Sequence, residues 1–295
     1  MNGFWKLTNF LFGQMMKKKG AIVLLASLAF GMAGVLAHAF PRAVSEKDMT
    51  HLATAFLPYE GVVDQSGVMF VFLLGLVLLF IIIYATMNKY FTNGKGIYTL
   101  LMLPLKRREI YFAFAAAALG MLFLYFAAWL VLMTILYFPV TANYTRVAAQ
   151  EVFRTADGAV IQALDATRNN GLYLAFRRSV FLSACFPSSL WQFLPFATGL
   201  LLVLASILYG GLRVGDKGGQ VAVMIFGTIV GVYAMAIPAL YINETYNAYG
   251  TLLGFLTLFI SRTGVGAGIT MSAVAIFGLV LVVRFTLKNM DQKNA

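Results

Sequence analysis

"GIYTLLMLPLKRREIYFAF", residues 96–114, poses the first question about this chain. Four charges, Lys106, Arg107, Arg108 and Glu109, stand together after a Leu-Pro. An apolar run of helix length resumes at Tyr111, and another ends upstream at Met87. A chain that separates two such runs with a knot of cations is written for two phases. The composition agrees. Of 295 residues, 61% are hydrophobic and 11% charged. A soluble domain carries roughly 25% charged residues, so there is too little charge here to cover a water-facing surface. The expected solvent is lipid.

A bilayer core takes about 20 apolar residues of helix. Stretches free of Asp, Glu, Lys and Arg occur at 20–40, 67–87, 111–138, 188–209, 221–241 and 264–283. The expected fold class is an all-α membrane protein with six transmembrane helices, the third long enough to tilt or to project beyond the bilayer. The intervening segments separate by charge. Residues 1–19, 88–110, 210–220 and 284–295 hold fourteen basic and three acidic residues, whereas 41–66, 139–187 and 242–262 hold eight of each. The formal net charge of +11 therefore lies on one side, which the positive-inside rule makes cytosolic, with both termini there. The charge is topological, and nucleic acid is not an expected partner. The single cysteine, Cys185, excludes an intrachain disulfide. Lys17-Lys18-Lys19, an apolar run and Ala37-His38-Ala39 imitate a signal peptide, but the run is longer than an h-region. It is expected to remain as the first span.

Residues 1–19 are expected to form a cytosolic interfacial helix. Phe4, Leu7, Leu11 and Met15 share one helical face, with Asn2, Lys6, Asn9 and Gly13 opposite and Trp5 beside them, a pattern suited to the headgroup layer. Residues 20–295 then make the six-span domain. Outer loops 41–66 and 139–187 suggest a small extracytoplasmic cap, in which "RVAAQEVFR" and "AVIQALDATR" read as short helices around Asp157-Gly158. Residues 251–260, "TLLGFLTLFI", are apolar, but ten residues of helix reach only about 15 Å. A re-entrant helix between spans five and six, turning at Gly250 and Gly264, fits this stretch, and so does a helix lying on the outer surface. Small residues suit close helix packing at Gly227 and Gly231 in span five, and at Ser27, Gly31 and Gly34 on one side of span one.

The loop at 88–110 is more than a charged turn. Gly94 and Gly96 break the incoming chain, Ile97, Leu100, Leu101 and Pro104 follow at near-helical spacing, and Pro104 ends any helix at or before Leu103. Lys106, Arg107 and Arg108 then fall at the lipid–water boundary, where cations favour anionic headgroups. The apolar side of Ile-Tyr-Thr-Leu-Leu-Met-Leu-Pro is left facing the cytosol and needs a partner. "LLMLPLKRREI" resembles the segment after the second span of type-2 ABC transporter permeases, at Leu100, Leu101, Leu103, Pro104, Arg107, Glu109 and Ile110. Two departures stand out: Lys106 where the family often has Ser, and Ala113-Phe114-Ala115 where a Gly-Lys often follows.

The resemblance implies a permease subunit of a bacterial exporter in the plasma membrane. In that family this loop is the coupling helix, so Ile97, Tyr98, Leu100, Leu101, Leu103, Pro104, Arg107, Arg108 and Glu109 become the expected contact with an ABC ATPase subunit. A second permease, identical or related, and membrane lipids are the other implied partners. ATP and magnesium are expected on the ATPase, with no cofactor in this chain. The residues agree. Gly94-Lys95-Gly96 lacks the earlier glycine and the Ser or Thr of a phosphate loop, and Asp216 interrupts the candidate at 210–217. No catalytic motif occurs, so the chain is not expected to be an enzyme, and His38 and His51 read as interfacial histidines rather than metal ligands. The spans lack the intramembrane carboxylates that ion-coupled carriers usually need. Spans rich in aromatic residues and Met favour an amphiphilic, lipidic or peptide-like cargo. A secondary carrier or channel-like protein, and a non-transporting membrane scaffold, are the competing readings.

Overall fold

The computed structural model describes residues 2–39, 59–92, 105–148, 152–154, 160–162, 171–187, 190–212, 217–245 and 264–292. Six of its helices are long and apolar enough to cross a membrane, over Ala21–Ala39, Val68–Phe91, Arg108–Ala142, Gln192–Gly211, Gly218–Ala236 and Gly268–Lys288. The chain is an all-α, multi-pass membrane protein. Helix is the form such runs must take, because lipid offers no partner to a backbone N–H or C=O.

In chain order the elements begin with α1 (Asn2–Met15), a π turn (Met16–Gly20) and α2 (Ala21–Ala39). Next come α3 (Tyr59–Gln65), α4 (Val68–Thr92) and α5 (Arg107–Ala148). Two short strands follow, β1 (Val152–Arg154) and β2 (Val160–Gln162), then α6 (Leu172–Arg178) and α7 (Val180–Cys185). The last three helices are α8 (Leu190–Gly211), α9 (Lys217–Thr245) and α10 (Gly264–Gln292). At 42 residues, α5 is about 63 Å long, twice a hydrocarbon core of about 30 Å. It therefore projects beyond the bilayer.

One expectation is corrected. Where they are described, the short helices expected around Asp157-Gly158 are instead the tail of α5 and two antiparallel strands, with Phe153 opposite Ile161 and Val152 opposite Gln162; the rest of both segments lies outside the described residues. Val, Phe and Ile favour strands, which outweighed the helical spacing of the alanines. In α1, Leu7, Leu11 and Met15, the apolar face expected from the sequence, are buried by the protein itself. The exposed apolar residues are Trp5 and Phe10.

The residues group into two compact units, and the division falls inside α2, α4 and α5. Unit 1 comprises residues 1–24, 75–125 and 187–295, and unit 2 comprises 25–74 and 126–186. In unit 1, α8, α9 and α10 pack around Leu202, Ala205, Tyr209, Ala234, Met271, Ala275 and Val282. In unit 2 the core is aromatic. Phe72 meets Trp129, Phe126 and Phe181 edge-on, with centroids 5.3–5.5 Å apart. Gly31 of α2 comes so near the Trp129 ring that a Cβ there would overlap it. Span hydroxyls are satisfied within their own helices: Thr86, Thr134, Thr198, Ser206, Ser272 and Thr286 each donate to the carbonyl four residues earlier.

Candidate functional site

The loop that the sequence singles out joins α4 to α5. Ile97, Tyr98, Leu100, Leu101, Leu103 and Pro104 lie outside the described residues, as does the stretch 251–260. The frame that holds the loop is described, and all of it belongs to unit 1. Tyr90 and Phe91 at the end of α4 place their rings 5.9 and 5.7 Å from that of Phe114, in the second turn of α5. Gly211, closing α8, would set a Cβ 3.3 Å from Met87 of α4. Tyr111 of α5 shares a side-chain hydrogen bond with Thr286 of α10. Gly3 at the start of α1 faces Leu105, at 3.4 Å from a Cβ built there. The start of α1, the end of α4, the start of α5 and the ends of α8 and α10 thus share one end of this unit. That end carries Lys89, Arg108, Arg284 and Lys288.

Within the charge knot the structure separates roles. Lys106 precedes the first helical residue, and its backbone N–H donates to Glu109 Oε2 at 3.2 Å. Glu109 is therefore the acidic half of a capping box, three residues into α5. Its carboxylate also opposes the positive helix N-terminus. Arg108 is exposed, whereas Ile110 and Tyr111 are buried. Arg107 opens the helix. The knot has a local duty, which is to start a helix of 42 residues cleanly after a Leu-Pro.

Gly227 and Gly231 are brought against α8 of the same chain. A Cβ on Gly227 would run into Ser206 Oγ, and one on Gly231 would lie 2.6 Å from Val203 Cγ2 and 2.7 Å from the Gly199 carbonyl oxygen. Reciprocally, a Cβ on Gly199 would stand 2.5 Å from the Gly231 carbonyl oxygen. The two backbones touch at this seam. In α2, Gly34 faces the Ser66 carbonyl, and His38 Nδ1–H donates to Gly34 O at 2.9 Å.

A second constellation, in unit 2, escaped the sequence reading. Asp64 of α3 receives three hydrogen bonds from the α6–α7 junction: Ser179 Oγ at 2.7 Å, Val180 N at 2.9 Å and Phe181 N at 3.1 Å. Ser179 Oγ itself accepts from Leu182 N, as the N-cap of α7. On the preceding turn of α3, Glu60 is buried and faces Arg178 at 3.7 Å, while Tyr59 donates to the Met133 carbonyl at 2.6 Å. Burial raises the Tyr59 phenol above its ordinary range and keeps it a donor. Ser179 before an apolar run is a legible N-cap signal. Its carboxylate partner 115 residues away is not. No protein-family model, curated protein or solved structure matches this chain.

Proposed function

We propose that this chain is the permease subunit of a type-2 ABC exporter in a bacterial plasma membrane, with both termini cytosolic. A separate ATPase would drive it, and a second permease would complete it. The observation that carries the reading is the sequence "LLMLPLKRREI" between the second and third membrane-capable helices. Its apolar half, with Leu100 and Leu101, together with the preceding Ile97 and Tyr98, offers a protein partner a face to grip. Its charged half begins a helix that runs the length of the bilayer and beyond. A push on the loop would therefore pass into α5 through a capped, rigid start. The framing contacts from α4, α8 and α10 would carry the same push to other spans. The transport route is expected between the two permeases, since the span hydroxyls named above are committed to their own helices. A cargo of amphiphilic, lipidic or peptide-like character suits walls of this composition.

The test removes the grip. Burying one large apolar side chain at an interface contributes about 1.5–3 kcal/mol, so Leu100→Asp with Leu101→Asp should abolish most of a modest subunit affinity. The measurements are co-purification of an ABC ATPase co-expressed with this chain and ATP hydrolysis by the complex. Lost recovery from a chain that still inserts and elutes normally supports coupling. Unchanged recovery would reduce the loop to a charged turn and turn attention to a carrier or channel.

A further inference from the structure

We propose that the Tyr173, Arg177 and Arg178 face of α6 binds the phosphate headgroup of an anionic phospholipid in the adjacent leaflet. The inference rests on the chain being a membrane protein and not on the transport reading.

The first argument is level. Phe181 of α7 packs its ring 5.4 Å from Phe72 and 6.0 Å from Trp129. Phe72 lies in the second turn of α4, just past the Gly67 turn, where φ is +71°. The α7 end of this pair of short helices therefore touches the apolar layer. Arg178 lies three residues before Phe181 and reaches Glu60 on α3, which stops at Gln65 before α4 begins. The arginines thus stand where the helices leave lipid for water. That is the headgroup level, and it is the level at which Tyr concentrates in membrane proteins.

The second argument is chemistry. The Arg177 guanidinium lies 5.9 Å from the centre of the Tyr173 ring, one turn away on the same face. Tyr173 is 63% exposed. The Arg178 side chain is 57% exposed, and only its Nη1 faces Glu60, at 3.7 Å. A guanidinium carries five N–H donors in a flat fork suited to two oxygens of a phosphate. Glu60 steadies that fork and leaves its outer edge open. Of the nearby carboxylates, Glu60 meets Arg178 at Nη1 alone. Asp64 is engaged by Ser179, Val180 and Phe181, and Glu60 is buried. Tyr173 and both arginines are exposed. A lipid acyl chain also finds apolar cover in this unit, where Phe70 at the start of α4 is 79% exposed.

A local readout is needed, because the cations of unit 1 also attract anionic lipid. Gly171, just before α6, is exposed and has open space around it. A fluorophore on Gly171→Cys, in a Cys185→Ser chain reconstituted into vesicles, would report the lipid next to α6. Quenching by nitroxide-labelled phosphatidylglycerol is compared with quenching by nitroxide-labelled phosphatidylcholine at the same mole fraction. The anionic probe is expected to quench more strongly. Arg177→Gln should cut that preference about fivefold, the value of one basic residue at a membrane surface. Glu60→Gln should keep or increase the preference, since it leaves both guanidiniums in place and removes a competing charge. Arg178→Gln orphans a buried carboxylate, so Arg177→Gln decides the matter if that variant fails to fold. Equal quenching by the two lipids, or a preference that survives Arg177→Gln, would overturn the site.

Discussion

The seam between α8 and α9 gives the sharpest quantitative expectation. Alanine at Gly231 would place its Cβ 2.6 Å from Val203 Cγ2, 2.7 Å from the Gly199 oxygen and 3.1 Å from the Val203 nitrogen. Two of those three obstacles are backbone atoms of α8, so relief requires the helices to part. Overpacking of this kind costs about 1–3 kcal/mol, while alanine in place of glycine returns up to about 1 kcal/mol of helix propensity. The expected net loss for Gly231→Ala is about 0–2 kcal/mol, against a gain at an open glycine. Gly13 in α1 has nothing within 4 Å, so Gly13→Ala keeps only the propensity gain. At Gly278 the obstacle is the flexible tip of Leu202, at 3.2 Å, and Gly278→Ala should be near neutral. Gly199 faces the same backbone crossing from the other side. Once one alanine has parted the helices the second meets less resistance, so the Gly199→Ala, Gly231→Ala pair should cost less than the sum of its members. Unfolding in mixed micelles titrated with dodecyl sulfate, followed by helical circular dichroism, would rank the series. Gly231→Ala matching Gly13→Ala, or a strictly additive double variant, would refute the backbone contact.

Asp64→Ala should lower stability by on the order of 2 kcal/mol, because three donors lose a charged acceptor, and should raise the mobility of α7; Asp64→Asn should recover part of the loss, and thermal unfolding of the purified chain would separate them. Tyr59→Phe removes the hydrogen bond to Met133 and should cost about 1 kcal/mol at neutral pH. Because burial raises the Tyr59 phenol above its ordinary 10.0, its contribution is whole below pH 10 and falls above it, as the unfolded phenol ionises first; the variant should lose stability less steeply in that alkaline range. For topology, cysteines at Lys18, Gly94, Lys217 and Lys293 should label only from the cytosol, and those at Ser45, Asp157 and Asn247 only from outside. Burial pushes the native Cys185 thiol up, so its background labelling should be slow.

Length and hydropathy sufficed for the six spans, because a run such as 67–87 has no other physical use. Their ends extended further than the charge-free windows, since Lys89 and Arg284 continue α4 and α10 and long cationic side chains reach water from within a helix. Periodicity correctly found the apolar face of α1 but not what covers it. The same Leu7–Leu11–Met15 stripe suits lipid or protein, and only the fold placed it against the chain. The Asp64–Ser179 link was illegible because nothing local marks two polar residues that meet across 115 positions of sequence.

The charge knot shows where the functional argument has its weight. Glu109 caps Lys106, so an acidic residue three places into α5 is explained by helix initiation alone. Arg108 at the edge of a span is explained by the membrane boundary alone. Any multi-pass protein whose third span must start abruptly after a proline has reason to write this half of the motif. The half at 97–104 has no such explanation, because an apolar Ile-Tyr-Thr-Leu-Leu-Met-Leu-Pro between two charge-bearing ends serves neither a cap nor a boundary. The ATPase reading therefore stands on Ile97, Tyr98, Leu100 and Leu101. Substituting Glu109 would weaken the start of α5 under every reading of function, whereas substituting Leu100 and Leu101 separates a coupled permease from a protein with an ordinary turn.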